Sequence, residues 1–314
     1  MTSTARATSG NRDPSGERDA RNQHANATAP QIRRAVSSRR VNGLGRMRPL
    51  ARRVGLLRKA RYLRWRATQL RHLAAVLRPA PLFLLREVRG GTGRYSLPSG
   101  HFIVVRHRTR DLDVVDEVLV APNAYEPPPV IASHLDGPLR ILDVGANIGT
   151  FGVFALGRWN VDTMRSFEPD PANAAVLNAT IALNHANHCW TAHRAALSNC
   201  SGHTTFIPGH FSLSRLADQG EAGIDVMVVD LFTLEYDTDL LKMDIEGGEW
   251  SILSDPRMAD LQARVIVMEW HSRLAPQPDA HAAALDLLDR AGYEVHADHI
   301  EPRTHTGLVW ASRL

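Results

Sequence analysis

Cysteine is nearly absent: Cys189 and Cys200 are the only two in 314 residues. Two thiols supply neither a disulfide framework nor a cysteine-built zinc site, and they read as free thiols in a reducing compartment. Long apolar runs are missing too. No stretch approaches the ~18 consecutive apolar residues of a membrane-spanning helix. No apolar segment with a small-residue cleavage site opens the chain, so a cytoplasmic protein is expected. Acidic residues are scarce in one region alone. Residues 1–90 hold 21 Lys+Arg against 4 Asp+Glu, a net of +17, and residues 91–314 hold the remaining 16 against 29, a net of −13. The body therefore does not select a polyanion by a general basic surface. The head carries enough charge to meet RNA phosphates or an anionic membrane surface.

Residues 1–46 are rich in Ser, Thr, Asn, Gly and Arg with almost no large apolar side chains. Such a segment cannot offset the entropy of folding, and a disordered basic tail is expected. Leu50, Val54, Leu57, Leu70, Leu73 and Leu77 then recur at helical spacings between arginines, which predicts a basic amphipathic helical segment over 47–90. It reads either as an RNA- or membrane-facing arm or as a helix packed on the body with its arginines in water. Because the ordered pattern begins at Met47, translation starting there is a second expectation. Residues 91–130 alternate around a Pro-Ser-Gly turn and continue as "LDVVDEVLV", which predicts a small β cap of short strands. From 131 to 314, short apolar runs alternate with helical patterns, as in an α/β domain with a mostly parallel sheet.

In such sheets, ligands gather at the carboxyl ends of the strands. The first run ends in "ILDVGANIGTFG", where Gly145 and Gly149 let the backbone turn tightly before a helix. The glycine spacing is G-x-x-x-G rather than the G-x-G-x-x-G of a pyrophosphate loop, which disfavours a dinucleotide. Glu168 follows the next run, nineteen residues after Gly149, where an acid can accept hydrogen bonds from a ribose diol. Pro169, Asp170 and Pro171 then set the turn and cap the next helix. After the third run come Ala195, Leu197, Ser198 and Asn199, small enough to lie against an adenine or to form an ordinary loop.

The run "LLKMDIEGGEW" delivers Asp244 and Glu246, and "VIVMEWH" delivers Glu269 and His271, each pair sharing one face if its strand continues. Two ligands from the first motif are too few to assign a metal. His185 and His188 stand at i, i+3 with no third ligand nearby and read as solvent-exposed. The segment "HFSLSRL" reads as a mobile loop over substrate.

Taken in order, "ILDVGANIGTF", "FEPDPAN", "ALSN..SGHTTF", "LLKMDIEGGEWSIL" and "VIVMEWH" resemble the FkbM family of S-adenosylmethionine (SAM) methyltransferases across residues 140–271. The resemblance implies a Rossmann-like, seven-stranded SAM methyltransferase fold; it extends more weakly into "DVVDEVLVAPNAY" before it, and residues 1–90 are outside it. It also implies SAM as methyl donor and a hydroxyl on a small molecule, sugar or natural product as acceptor. The residues expected to hold SAM are Asp143, Gly145, Asn147, Gly149, Glu168 and Ser198. Those expected to carry the chemistry are Asp244, Glu246 and His271. Asp244 is the first choice to face the transferred methyl, as base or as an acceptor orienting the hydroxyl. Glu246 has two readings, a partner of Asp244 toward substrate or cation, or a cap on the following helix. Lys242 either joins them or only neutralises the acids. Two rival functions stand beside this one: RNA methylation guided by the basic head, and a SAM-fold interaction protein without catalysis.

Overall fold

The computed structural model describes residues 61–120, 125–207, 215–216, 222–301 and 305–313. The tail expected over 1–46, a start at Met47, and most of the loop expected near Arg215 lie outside them. All described residues belong to the unit Leu56–Leu314.

The unit opens with helix α1 (residues 61–76) and α2 (Ala80–Arg89). The hairpin β1 (Gly91–Ser96) and β2 (Phe102–His107) follows. Leu73 in α1 and Leu77 just after it are fully buried, while Tyr62, Leu63 and Trp65 are exposed. Of the expected apolar stripe, Leu50, Val54 and Leu57 lie outside the described residues. Arg66 ties it to Glu87 at 2.8 Å and to Asp113 at 3.2 Å. The hairpin buries a polar knot, with Tyr95 Oη 2.6 Å from His107 Nε2 and His107 Nδ1 3.1 Å from Glu87.

"LDVVDEVLV" differs from expectation. It forms helix α3 (Asp111–Val115) and a wider helical turn, Asp116–Val120, before α4 (Pro129–Ala132). Leu112 and Val115 are buried three residues apart, and the Asp111 carboxylate takes the Arg106 backbone N–H and guanidinium. Burial at helical spacing and this anchor override the β-branched run.

The main domain continues as β3 (Pro138–Val144), α5 (Thr150–Arg158), β4 (Asn160–Phe167), α6 (Pro171–Leu183), β5 (Trp190–His193), β6 (Ala196–Ser198), β7 (Gly202–Ile207), β8 (Arg215–Leu216) and β9 (Ile224–Asp230). Then come β10 (Thr238–Met243), α7 (Glu249–Leu253), β11 (Ala263–His271), α8 (Ala280–Arg290), β12 (Glu294–Glu301) and β13 (Thr306–Ser312). Seven strands form one sheet in the order β12-β13-β11-β10-β3-β4-β5, parallel except where β13 runs antiparallel to both neighbours. This is the expected Rossmann-like α/β sheet.

The near-continuous apolar runs have a direct cause. In β11, Val265 and Val267 enter one core cluster with α5 and α6, while Ile266 and Met268 enter the other with α7 and α8. A strand covered on both faces must be apolar at every position. The expected single strand "WTAHRAAL" is broken, because Ala195 N–H bonds back to the His193 carbonyl at 2.9 Å. The chain leaves the main sheet there and joins a second sheet, β6-β9-β7-β8. The cap sits on α6 through Phe102 N–H to Asn184 Oδ1 (2.8 Å) and Arg106 to Asn173 Oδ1 (2.6 Å).

Candidate active site

The carboxyl ends of β3, β4, β10 and β11 open into one cavity of about 1180 Å³. On the β3 side, the turn after Val144 carries positive φ at Gly145 (80°), Asn147 (51°) and Gly149 (89°). A Cβ on Gly145 would stand 1.8 Å from the Asp244 carbonyl oxygen, so the turn can pass the end of β10 only as glycine. Gly149 is needed for a different reason: a Cβ there would meet Leu177 at 2.8 Å and Trp190 at 3.1 Å.

Beneath this turn lies an ion pair that joins neighbouring strands. Asp143 and Lys242 are paired in register across β3 and β10, and Lys242 Nζ stands 3.4 Å from Asp143 Oδ1. The ammonium donates to the Gly145 carbonyl at 2.7 Å, and Ser166 Oγ donates to Asp143 Oδ2 at 2.8 Å. Burial pushes the Asp143 carboxyl up while Lys242 pulls it down. Burial likewise opposes the ammonium, but Asp143 and Asp244 raise its pKa.

Of the six residues expected to hold cofactor, Gly145, Asn147 and Glu168 line the cavity. Glu168 is 5% exposed and accepts from Asn147 N–H (2.8 Å) and Asp170 N–H (2.9 Å). Burial raises its carboxyl to about 7. Those two amides use half of the roughly four acceptor positions on a carboxylate. The other three residues are displaced from the lining. Asp143 is fully buried under the turn and holds its carbonyl through Lys242. Gly149 packs on Trp190, and Ser198 is buried 3.3 Å from Ser251 Oγ. Phe167, Ala196, Leu197 and Phe206 supply the apolar part of this wall.

On the β10–β11 side, Asp244, Glu246 and His271 all line the cavity, and Glu269 joins them. β10 ends at Met243, so Asp244 and Glu246 stand on the following turn rather than on a strand face. The helix-cap reading of Glu246 fails. Its φ is 54°, the N-cap of α7 is Gly248 with no side-chain cap bond, and the Glu246 carboxylate lies 3.3 Å from His271 Nε2. Glu249, the first residue of α7 and absent from the expected set, ties the turn to β11 instead. Fully buried, it accepts from Gly247 N–H (2.8 Å), His271 N–H (2.7 Å) and His271 Nδ1 (3.2 Å). No signal in the sequence distinguishes it from an exposed acid in the first turn of a helix.

Nε2 of His271 faces Asp244 Oδ1 at 4.0 Å and Glu269 Oε1 at 3.9 Å. Burial opposes the imidazolium, but the Glu249 bond and the Asp244, Glu249 and Glu246 charges raise it to about 10. Burial first, and then Asp244, raises Glu246 and Glu269 well above the carboxylate range. Glu117 and Tyr125 complete this side. Tyr125 is buried against Phe151, its ring 5.2 Å away. Elsewhere, His185 and His188 are exposed as expected. No helix among the described residues is long and apolar enough to cross a membrane.

Residues 143–295 match the methyltransferase FkbM domain family. The methyltransferase sdnD of Sordaria araneosa is 29% identical over 202 residues, which span 51% of this chain and 76% of that one. Among solved structures, the methyltransferase FkbM of Methylobacillus flagellatus KT is 19% identical with a TM-score of 0.39, covering 64% of this chain and 52% of that one. The magnesium protoporphyrin IX methyltransferase of Synechocystis PCC 6803, solved with bound SAM, is 14% identical with a TM-score of 0.38, covering 64% and 77%. Residues 143–295 of the chain are thus similar to the methyltransferase FkbM domain, and the wider similarity is to a methyltransferase.

Proposed function

We propose that the chain transfers a methyl group from SAM to a hydroxyl of a small molecule or sugar. The observation that carries this reading is the facing of two unlike walls across one cavity: the Gly145–Asn147 turn with Glu168, and the Asp244, Glu246, Glu269 and His271 group.

The residues present fit the cofactor. Gly145 keeps the turn open where a Cβ would collide, and Glu168 retains acceptor capacity for a vicinal diol. The apolar wall of Phe167, Ala196 and Leu197 suits a purine face. When bound, SAM supplies an electrophilic methyl on a sulfonium. The protein's part is to hold the acceptor oxygen in line with it, worth up to ~7–11 kcal/mol in favourable cases. Asp244 stands where its carboxylate accepts the hydroxyl proton, or orients it toward a neighbouring acid, as the oxygen–carbon bond forms. His271, pinned by Glu249, keeps that carboxylate group assembled.

Eight carboxylates line the cavity against three Lys and Arg side chains. That balance suits a neutral or cationic acceptor and works against a phosphodiester, which favours the small-molecule reading over RNA. The test is to incubate the protein with labelled SAM and a host small-molecule extract, and to follow label into product by mass spectrometry. A labelled, acid-stable ether is the expected product. Calorimetric binding of NADH but not of SAM would sink the proposal.

A further inference from the structure

Asp244, Glu269 and His271 each offer one ligand atom, and these atoms lie within 4.8 Å of one another. Glu246 adds a fourth donor atom, an oxygen 3.3 Å from His271 Nε2. Two donors bound to a cation at ~2.0–2.4 Å stand roughly 3–4.8 Å apart, from adjacent to opposite positions. The measured separations from Nε2 are 3.3, 3.9 and 4.0 Å. A direct N–H···O bond would bring them to ~2.7–3.2 Å. The group is therefore spaced as donors around a common centre rather than as partners of one another.

A second observation comes from outside the acids. His271 is 7% exposed, and its ring is fixed from behind: Glu249, itself fully buried on α7, engages both Nδ1 and the backbone N–H. This arrangement aims Nε2 into the space between the carboxylates, where a bound cation would take the place of its proton. A buried carboxylate orienting a ligating histidine in this way is a recurring feature of metal sites. Lys242, the nearest lysine, reaches Asp244 only at 4.0 Å and spends its short bond on Gly145.

We propose that Asp244, Glu269 and His271, with Glu246 in reach, bind one divalent cation at the cavity wall, with open positions facing the cavity. Three oxygens and one imidazole nitrogen suit Mg²⁺ or Mn²⁺ better than a thiolate-seeking metal. The binding claim does not depend on methyl transfer. If the methyltransferase reading holds, the cation's open positions face the acceptor, and a substrate with vicinal oxygens is the class they would take.

The experiment strips the full-length protein with EDTA and titrates it with MnCl₂, following free Mn²⁺ by electron paramagnetic resonance. One Mn²⁺ per chain is expected, displaced by Mg²⁺. Affinity should fall at least tenfold in Glu269→Gln and in His271→Gln, and should be unchanged in Glu126→Gln, whose carboxylate pairs with Arg158. Thermal melts confirm that each variant is folded. Absence of Mn²⁺ binding below about 1 mM by folded wild type overturns the proposal, as does binding undiminished in both site variants. SAM titration in EDTA separates the two claims. SAM binding without Mn²⁺ binding removes the cation alone, and Mn²⁺ binding without SAM binding removes the methyltransfer reading alone.

Discussion

The two walls of the cavity are both strand ends of one parallel sheet, yet they are built in opposite ways. On the β3–β4 wall the acids have close partners: Asp143 Oδ2 accepts from Ser166, with Lys242 3.4 Å from Oδ1, and Glu168 takes two backbone amides. On the β10–β11 wall Asp244, Glu246 and Glu269 crowd around one imidazole, which Glu249 holds from behind. A satisfied wall holds a fixed shape, as a cofactor site requires. An unsatisfied one has electrostatic work left to do on whatever enters, which is where perturbed ionisation and chemistry gather.

The contrast is broken most strongly at Asp244. Asp244→Ala should reduce label transfer from SAM by about 10²–10⁴-fold, the range for a positioned base, while changing SAM affinity little. Calorimetry beside the labelling assay checks both, and unchanged turnover would remove its catalytic role. Next comes Glu249→Ala, which leaves the buried Gly247 and His271 N–H groups without acceptors, at ~1–3 kcal/mol each. A lowered denaturant midpoint, together with loss of turnover, is expected. Glu249→Gln keeps one acceptor oxygen but turns its NH2 toward the other N–H donor, so it should recover only part of the stability.

On the opposite wall, Glu168→Ala should weaken SAM binding by roughly tenfold or more, from loss of a charge-assisted hydrogen bond worth ~1.5–3 kcal/mol. Turnover at saturating SAM should hold within a few-fold. The smallest effect is in pH. Glu168 is raised to about 7 by burial, so its protonated form is favoured in the folded protein. Its contribution to stability is complete below the unfolded carboxyl pKa and is lost as pH rises through about 7. Ribose hydroxyls donate better to the carboxylate, so SAM affinity should rise across the same interval. Calorimetry at pH 6 and pH 8 would expose a flat or opposite trend, which would exclude Glu168 as the ribose acceptor.

Much of this was legible in the chain itself. The G-x-x-x-G turn, Glu168 at its distance and the "KMDIEGGEW" run locate three strand ends, because tight turns and doubly buried strands leave strong local signatures. Glu249 and Glu117 were not legible. An acid's identity says nothing of its burial, and their partners come from other elements. "LDVVDEVLV" misled because alternation and a helical stripe coincide over nine residues, and only packing against β2 and α5 separates them.

The sequence by itself determined the α/β alternation, the two-sided burial of the sheet and the acids available at its strand ends, since these follow from local periodicity and turn chemistry. The tertiary structure decided their assignments. It moved Asp143 from the cofactor to the support of the Gly145 turn, and separated the two readings of Glu246 by placing it on the cavity rather than on a helix cap. It set Glu249 behind His271, and so turned Glu269 and His271 toward Asp244. Each of these rests on distances between residues far apart in the chain, and such distances exist only once the sheet has brought the ends of β3, β10 and β11 side by side.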